Sequence, residues 1–173
     1  PKFSPDGRWF AFVVVPPSLE RRLYRLHLVP AKGGDPRPFH HDLCPTYIGQ
    51  GGPLLWSSDS GHVIFRGRLV DDPGSSDWWV APVGPGRAVR THAVDNLDLS
   101  IVHYPVGWSG DDIYFASGTT IEGVNLFRTR IDPRSFAIKG PAAPITTGPG
   151  MKIYASVTRD GRVVFTEMTA AIS

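Results

Sequence analysis

Phe3-Ser4-Pro5-Asp6-Gly7, followed by Trp9-Phe10-Ala11-Phe12, reads as a tight turn opening a β-rich run, and it returns three times. Trp56-Ser57-Ser58-Asp59-Ser60-Gly61 precedes His62-Val63-Ile64-Phe65. Trp108-Ser109-Gly110-Asp111-Asp112 leads into Ile113-Tyr114-Phe115, and Val157-Thr158-Arg159-Asp160-Gly161 into Arg162-Val163-Val164-Phe165. The turn residues Asp6, Asp59, Asp111 and Asp160 lie 53, 52 and 49 residues apart, and each following run ends in phenylalanine at the same place. A period near fifty residues, with one fixed turn and one fixed aromatic, marks a repeat architecture in which each copy supplies an equivalent piece of core.

Working outward, a third element recurs after each phenylalanine: Leu23 to Pro30, Trp78 to Pro85 and Leu126 to Pro133. Proline stops each strand because it cannot donate a ladder hydrogen bond. Ser18 to Leu28 alone would pass for a capped amphipathic helix, but its place in the repeat predicts a strand. Weaker fourth strands are expected at Arg37 to His41, Ala88 to His92 and Pro144 to Thr147. Four antiparallel strands per fifty residues predict an all-β chain of β-propeller blades; a β-sandwich would not explain a fifty-residue recurrence. The blades run approximately 1–42, 43–100, 101–150 and 151–173, the last incomplete. About three and a half blades of a six- to eight-bladed ring are therefore expected, with the missing blades supplied in cis or by another chain. Unpaired blade edges predict self-association of the isolated chain.

Composition agrees. The 19 glycines and 17 prolines among 173 residues argue against a helical bundle. The longest apolar run, Trp9 to Val15, is the length of a strand and far short of a membrane-spanning helix. A formal net charge of +2 with scattered basic residues leaves no electrostatic footprint for nucleic acid. One cysteine, Cys44, excludes an internal disulfide framework and leaves the compartment open.

At Phe3-Ser4-Pro5-Asp6-Gly7 and its following strand the sequence resembles the WD40-like (PD40) repeat of bacterial TolB-type propellers, which is also found in the propeller domains of prolyl oligopeptidase-family peptidases. The stretches Ser76 to Val83 and Asn125 to Arg134, with Gly140-Pro141, look most like propellers appended to bacterial serine/threonine kinases and winged-helix regulators. The second and third turns depart from the Ser-Pro-Asp-Gly form. Trp-Asp dipeptides of the WD40 proteins proper do not occur. The resemblance implies a non-catalytic binding, scaffold or sensor module of a larger bacterial protein, and its TolB-like side leans toward a periplasmic or extracytoplasmic setting while the compartment stays open. The alternative is the gating propeller of a peptidase whose catalytic domain lies elsewhere.

The residues offer little catalytic chemistry. Gly107-Trp108-Ser109-Gly110 has the wrong spacing for a nucleophile elbow, and Gly49-Gln50-Gly51-Gly52 lacks the Lys-Ser/Thr of a phosphate loop. The four repeat aspartates fit local turn bonding better than paired acid-base catalysis. His40-His41-Asp42 with Cys44 has metal-ligand types without ligand spacing, so neither metal nor cofactor is expected. Of Trp78-Trp79, one ring is expected in the core and the other outward. Binding to a protein or small ligand is expected through the central channel or through a long-loop face, where loops after the second strands (Val13 to Arg22, Arg66 to Asp77, Ala116 to Asn125) join the blade connections. Candidate residues on that face are Arg66, Arg68, Asp71, Asp72, Glu122, His40, His41, His103 and Tyr104.

Overall fold

A computed structural model describes residues 2–15, 23–46, 54–97, 99, 102–119 and 123–169. Three antiparallel sheets follow one another along the chain, matching the turn-strand period. The first comprises β1 (Lys2–Phe3), β2 (Trp9–Val14), β3 (Arg25–Pro30) and β4 (Arg37–Pro38), in sequence order. In the second, β5 (Leu43–Pro45) and β6 (Leu54–Trp56) both pair with β7 (His62–Leu69), which continues to β8 (Asp77–Pro82) and β9 (Val89–Arg90). A short helix α1 (Ala93–Asn96) leads to the third sheet: β10 (Val102–Ser109), β11 (Asp112–Thr119), β12 (Gly123–Ile131) and β13 (Ile138–Pro144). The hairpin β14 (Met151–Val157) and β15 (Val163–Met168) joins β12 through a single parallel bridge, Val124 to Met151. The arrangement is a partial β-propeller, an open arc with no closed sheet.

The turns explain the repeat. In the first, Ser4 Oγ donates to Asp6 Oδ1 (2.6 Å), Arg8 N–H donates to the same oxygen, and Trp9 N–H donates to Ser4 Oγ. Ser57 with Asp59 and Thr158 with Asp160 repeat the pattern. These hydroxyls, then the backbone N–H groups, hold Asp6 and Asp59 below the usual carboxylate range; Asp160 is lowered by Thr158 and then Arg162. The next position is left-handed in all three: Gly7 (φ 69), Ser60 (φ 62) and Gly161 (φ 80). Ser60 accepts that conformation and its hydroxyl receives Asp6 N–H at 3.0 Å, tying the first two turns together. The third turn is shorter: Ser109 pairs directly with Asp112, Asp111 lies in the two-residue loop, and Ser109 Oγ donates to the Arg159 carbonyl instead (2.7 Å). Ser57 is 6% exposed. Ser57→Ala therefore lowers unfolding free energy by about 1–2 kcal/mol in urea denaturation, while Ser57→Thr, the choice at position 158, retains it.

The second and third sheets bury both faces because each packs on two neighbours, and strand alternation sorts the residues. Ala11, Leu26 and Leu28 of the first blade meet Val63, Phe65, Trp79 and Ala81 of the second. Ile64, Trp78 and Val80, from the opposite face of the second blade, meet Ile113, Phe115 and Phe127 of the third. Tyr114, Ala116, Val124 and Leu126 turn instead toward Val157 and Val163 of the terminal hairpin. Both tryptophans of the pair are thus buried, at 0% and 7% exposure, in different junctions; the expectation that one ring faces outward is corrected.

Three further sequence readings change. Strands β7 and β11 run through Leu69 and Thr119, so the loops expected from Arg66 and Ala116 begin later and are shorter. The third blade's fourth strand is Ile138–Pro144 rather than Pro144 to Thr147, paired with Phe127 to Ile131. The second blade's innermost strand is split: Pro45 pairs Gly67 and Leu54 pairs Phe65, so two separate segments meet β7 on either side of Arg66. Gly49-Gln50-Gly51-Gly52 and most of Val13 to Arg22 lie outside the described residues.

Candidate functional site

The innermost strands β1, β6, β10 and β14 converge on the axis of the arc and line a cleft of about 630 Å³. Its walls are Lys2, Phe3, Leu55, Trp56, Val106, Gly107, Trp108, Ser156 and Val157, and the short turns contribute Pro5, Ser58, Ser109, Gly110, Thr158 and Arg159. Trp56 Nε1 donates to the Lys2 carbonyl (3.1 Å), fixing the first strand against the second blade. At Gly107 an added Cβ would overlap the Val157 side chain, so glycine permits β10 and β14 to approach along the axis. Lys2 and Arg159 are the charged residues of the lining among the described residues, none of which there is Asp, Glu, His or Cys. Burial lowers the Lys2 pKa, the effect of a charge facing a partly dry wall.

A narrower recess continues along the same strands, between Lys2, Leu55, Tyr104, Pro105, Lys152 and Tyr154. Lys152, 3% exposed, donates to the carbonyls of Pro149 (2.6 Å) and Gly148 and pairs with Glu167 at 3.1 Å. Burial, then neighbouring Tyr154, raises the Tyr104 pKa.

The residues chosen from sequence do not gather at one place. His103 and Tyr104, expected on a loop, lie in the innermost strand β10 and are buried at 6% and 8% exposure, because that strand starts at Val102 rather than at Pro105. Arg66 and Arg68 belong to β7. Arg66 Nη1 donates to the His103 carbonyl (3.5 Å), and burial lowers its pKa. Arg68 is occupied by the carbonyls of Leu69 and Val70. Asp71 is exposed, and Asp72 caps a 3-10 turn at Pro73–Ser75 through Gly74 N–H. His40 contacts the Pro82 carbonyl through Nε2 (3.0 Å) at the junction of the first two blades, and His41 is exposed. Glu122 lies outside the described residues. The cleft residues Lys2 and Arg159 were missed because loop length drew attention to the opposite end of the blades; Arg159 sits inside the repeat turn itself.

One group among the described residues has metal-ligand types within reach of one another: Asp77, His92 and Asp95. A guanidinium already fills the cation position. Arg90 Nε lies 2.7 Å from Asp77 and its Nη2 3.4 Å from Asp95. Asp77, wholly buried, also accepts Trp78 and Val94 N–H, so the network anchors α1 beside the third blade, where Asn96 donates to the Ile138 carbonyl.

No protein-family signature and no curated protein sequence matches the chain. Among solved structures, TolB from Acinetobacter baumannii is similar, with a TM-score of 0.60 and 16% identity over 94% of this chain and 36% of that one. The chain thus spans little more than a third of that structure's length. At this identity the likeness is one of fold. The chain has a TolB-like β-propeller fold.

Proposed function

We propose that the chain is a non-catalytic binding module of a larger bacterial protein, using its axial cleft to hold an extended anionic ligand such as an acidic peptide segment. The observation that carries this reading is the lining: Lys2 and Arg159 with Trp56 and Trp108, and no carboxylate, histidine or cysteine among the described residues. Cationic groups attract an anion, and aromatic walls supply contact area. The WD40-like repeat character of the turns fits such a module, and the TolB likeness is consistent with it.

Titration calorimetry with a hexaglutamate and a hexalysine peptide tests this. Hexaglutamate binds and hexalysine does not, and affinity falls as salt rises. The double variant Lys2→Glu/Arg159→Glu weakens hexaglutamate binding by about tenfold or more. Equal binding of the two peptides, or an unchanged affinity in the variant, overturns the reading.

A further inference from the structure

Between the second and third blades, on the face of the short turns, lies a recess of about 170 Å³ whose walls come from these two interior blades alone. Trp108 and Phe136 form one corner, their rings at 87° with centroids 6.3 Å apart, and His62 lies against Phe136 at 4.7 Å. The loop that presents Phe136 is fixed, since its N–H donates to the Asp132 carbonyl at 2.9 Å. Asp59 and Asp111, one from each repeat turn, stand at the same recess, and no lysine or arginine lines it among the described residues. Ser57 Oγ and Gly61 N–H both donate to Asp59 Oδ1, so Oδ2 takes no hydrogen bond among the described residues.

The junction one blade earlier shows what fits this place. The pairs Phe12–His27, Phe65–Trp79 and Phe115–Phe127 are equivalent, which aligns His62 with Trp9 and Ile131, on the recess wall, with Val83. Arg37 pairs with Leu28 as Val89 pairs with Val80, so Val89 occupies the arginine's position in the second blade. In the first junction the Arg37 guanidinium lies 4.8 Å over the Trp9 ring and donates to the Val83 carbonyl (3.5 Å). The second junction keeps the aromatic walls and adds carboxylates, but the cation is replaced by Val89, a short apolar side chain 40% exposed.

We propose that this recess receives the guanidinium of an arginine side chain from a partner polypeptide, stacked in the Trp108–Phe136 corner and paired with Asp59 and Asp111. A planar guanidinium satisfies ring faces and carboxylates together, which a compact ammonium does not. The recess borders the axial cleft through Trp108, but its charge is opposite and the inference does not rest on the axial ligand.

The test is an NMR titration of the full chain with acetyl-Arg-amide, acetyl-Lys-amide and the neutral acetyl-citrulline-amide, followed at the Gly61, Asp111 and Phe136 amides. The arginine probe gives saturable shifts there and binds about fivefold or more tighter than the lysine probe, while the citrulline probe gives none. The double variant Asp59→Asn/Asp111→Asn weakens binding by about tenfold or more. Asparagine keeps the Oδ1 acceptor of the turn, so circular dichroism is unchanged. Val89→Arg supplies a guanidinium from within the chain, as Arg37 does, and abolishes the shifts; Val89→Met leaves them in place. Absence of shifts at these amides in wild type, equal affinity for the lysine or citrulline probe, or wild-type affinity in the asparagine or Val89→Arg variants overturns the proposal.

Discussion

Trp78→Ala lowers the unfolding free energy by about 3–5 kcal/mol, measured as a shift of the urea midpoint. Trp78, on β8, is the largest fully buried side chain of the junction between the second and third blades. Its ring meets Phe115 edge-on at 5.2 Å, and its Nε1 donates to His103 Nδ1 at 3.2 Å. Truncation therefore opens a cavity where two rigid sheets meet and leaves a buried nitrogen without its donor. Trp78→Phe keeps most of the volume and loses only the hydrogen bond, so it costs about 1–3 kcal/mol. A domain of this size has only about 5–15 kcal/mol in all, so the alanine variant is close to unfolding the junction. An alanine variant no less stable than Trp78→Phe would show that the junction relaxes around the gap.

Stability falls between about pH 6.5 and 4 through His103. Burial first, then the charge of Arg66, lowers its pKa from 6.5 to about 4. Because Trp78 Nε1 donates to Nδ1, the native imidazole is neutral at that nitrogen; protonation would set two donors against each other. A histidine whose folded pKa is depressed binds its proton more readily when unfolded. Its neutral form therefore carries no penalty above pH 6.5, and up to about 3 kcal/mol of stability is lost as the pH falls toward 4. Denaturant midpoints at pH 7.5, 5.5 and 4 in wild type and His103→Gln give the comparison. The wild-type loss exceeds that of the variant across this window; parallel profiles would remove His103 as the cause. Asp6, Asp59 and Asp160 act lower: their folded pKa values are depressed, so their contribution is present above the unfolded carboxylate range and disappears as pH falls through it.

The fold was legible because a turn and a strand are local objects. Ser4, Asp6 and Gly7 bond almost entirely within five residues, so their recurrence at 57–60 and 158–161 is visible as text. The aligned phenylalanines were legible for the same reason: a period-2 strand after a fixed turn places every copy in one register. The candidate site was far less legible. Lys2, Trp56, Trp108 and Arg159 share a cleft although they stand up to 157 positions apart, and the loop-length argument pointed to the other end of the blades. Tyr104 and His103 show the local limit: polar residues before a proline read as loop, yet β10 accommodates Pro105 at its axial edge and shifts register before Gly107.

The sequence by itself determined the repeat, the all-β class and the place of the recurring aspartate turns, since these follow from side-chain chemistry over a few residues. Only the tertiary structure decided which residues face which blade, that both tryptophans are buried, and that the axial wall is cationic. Those properties arise where separate sheets meet, and no local rule encodes a contact between strands fifty residues apart.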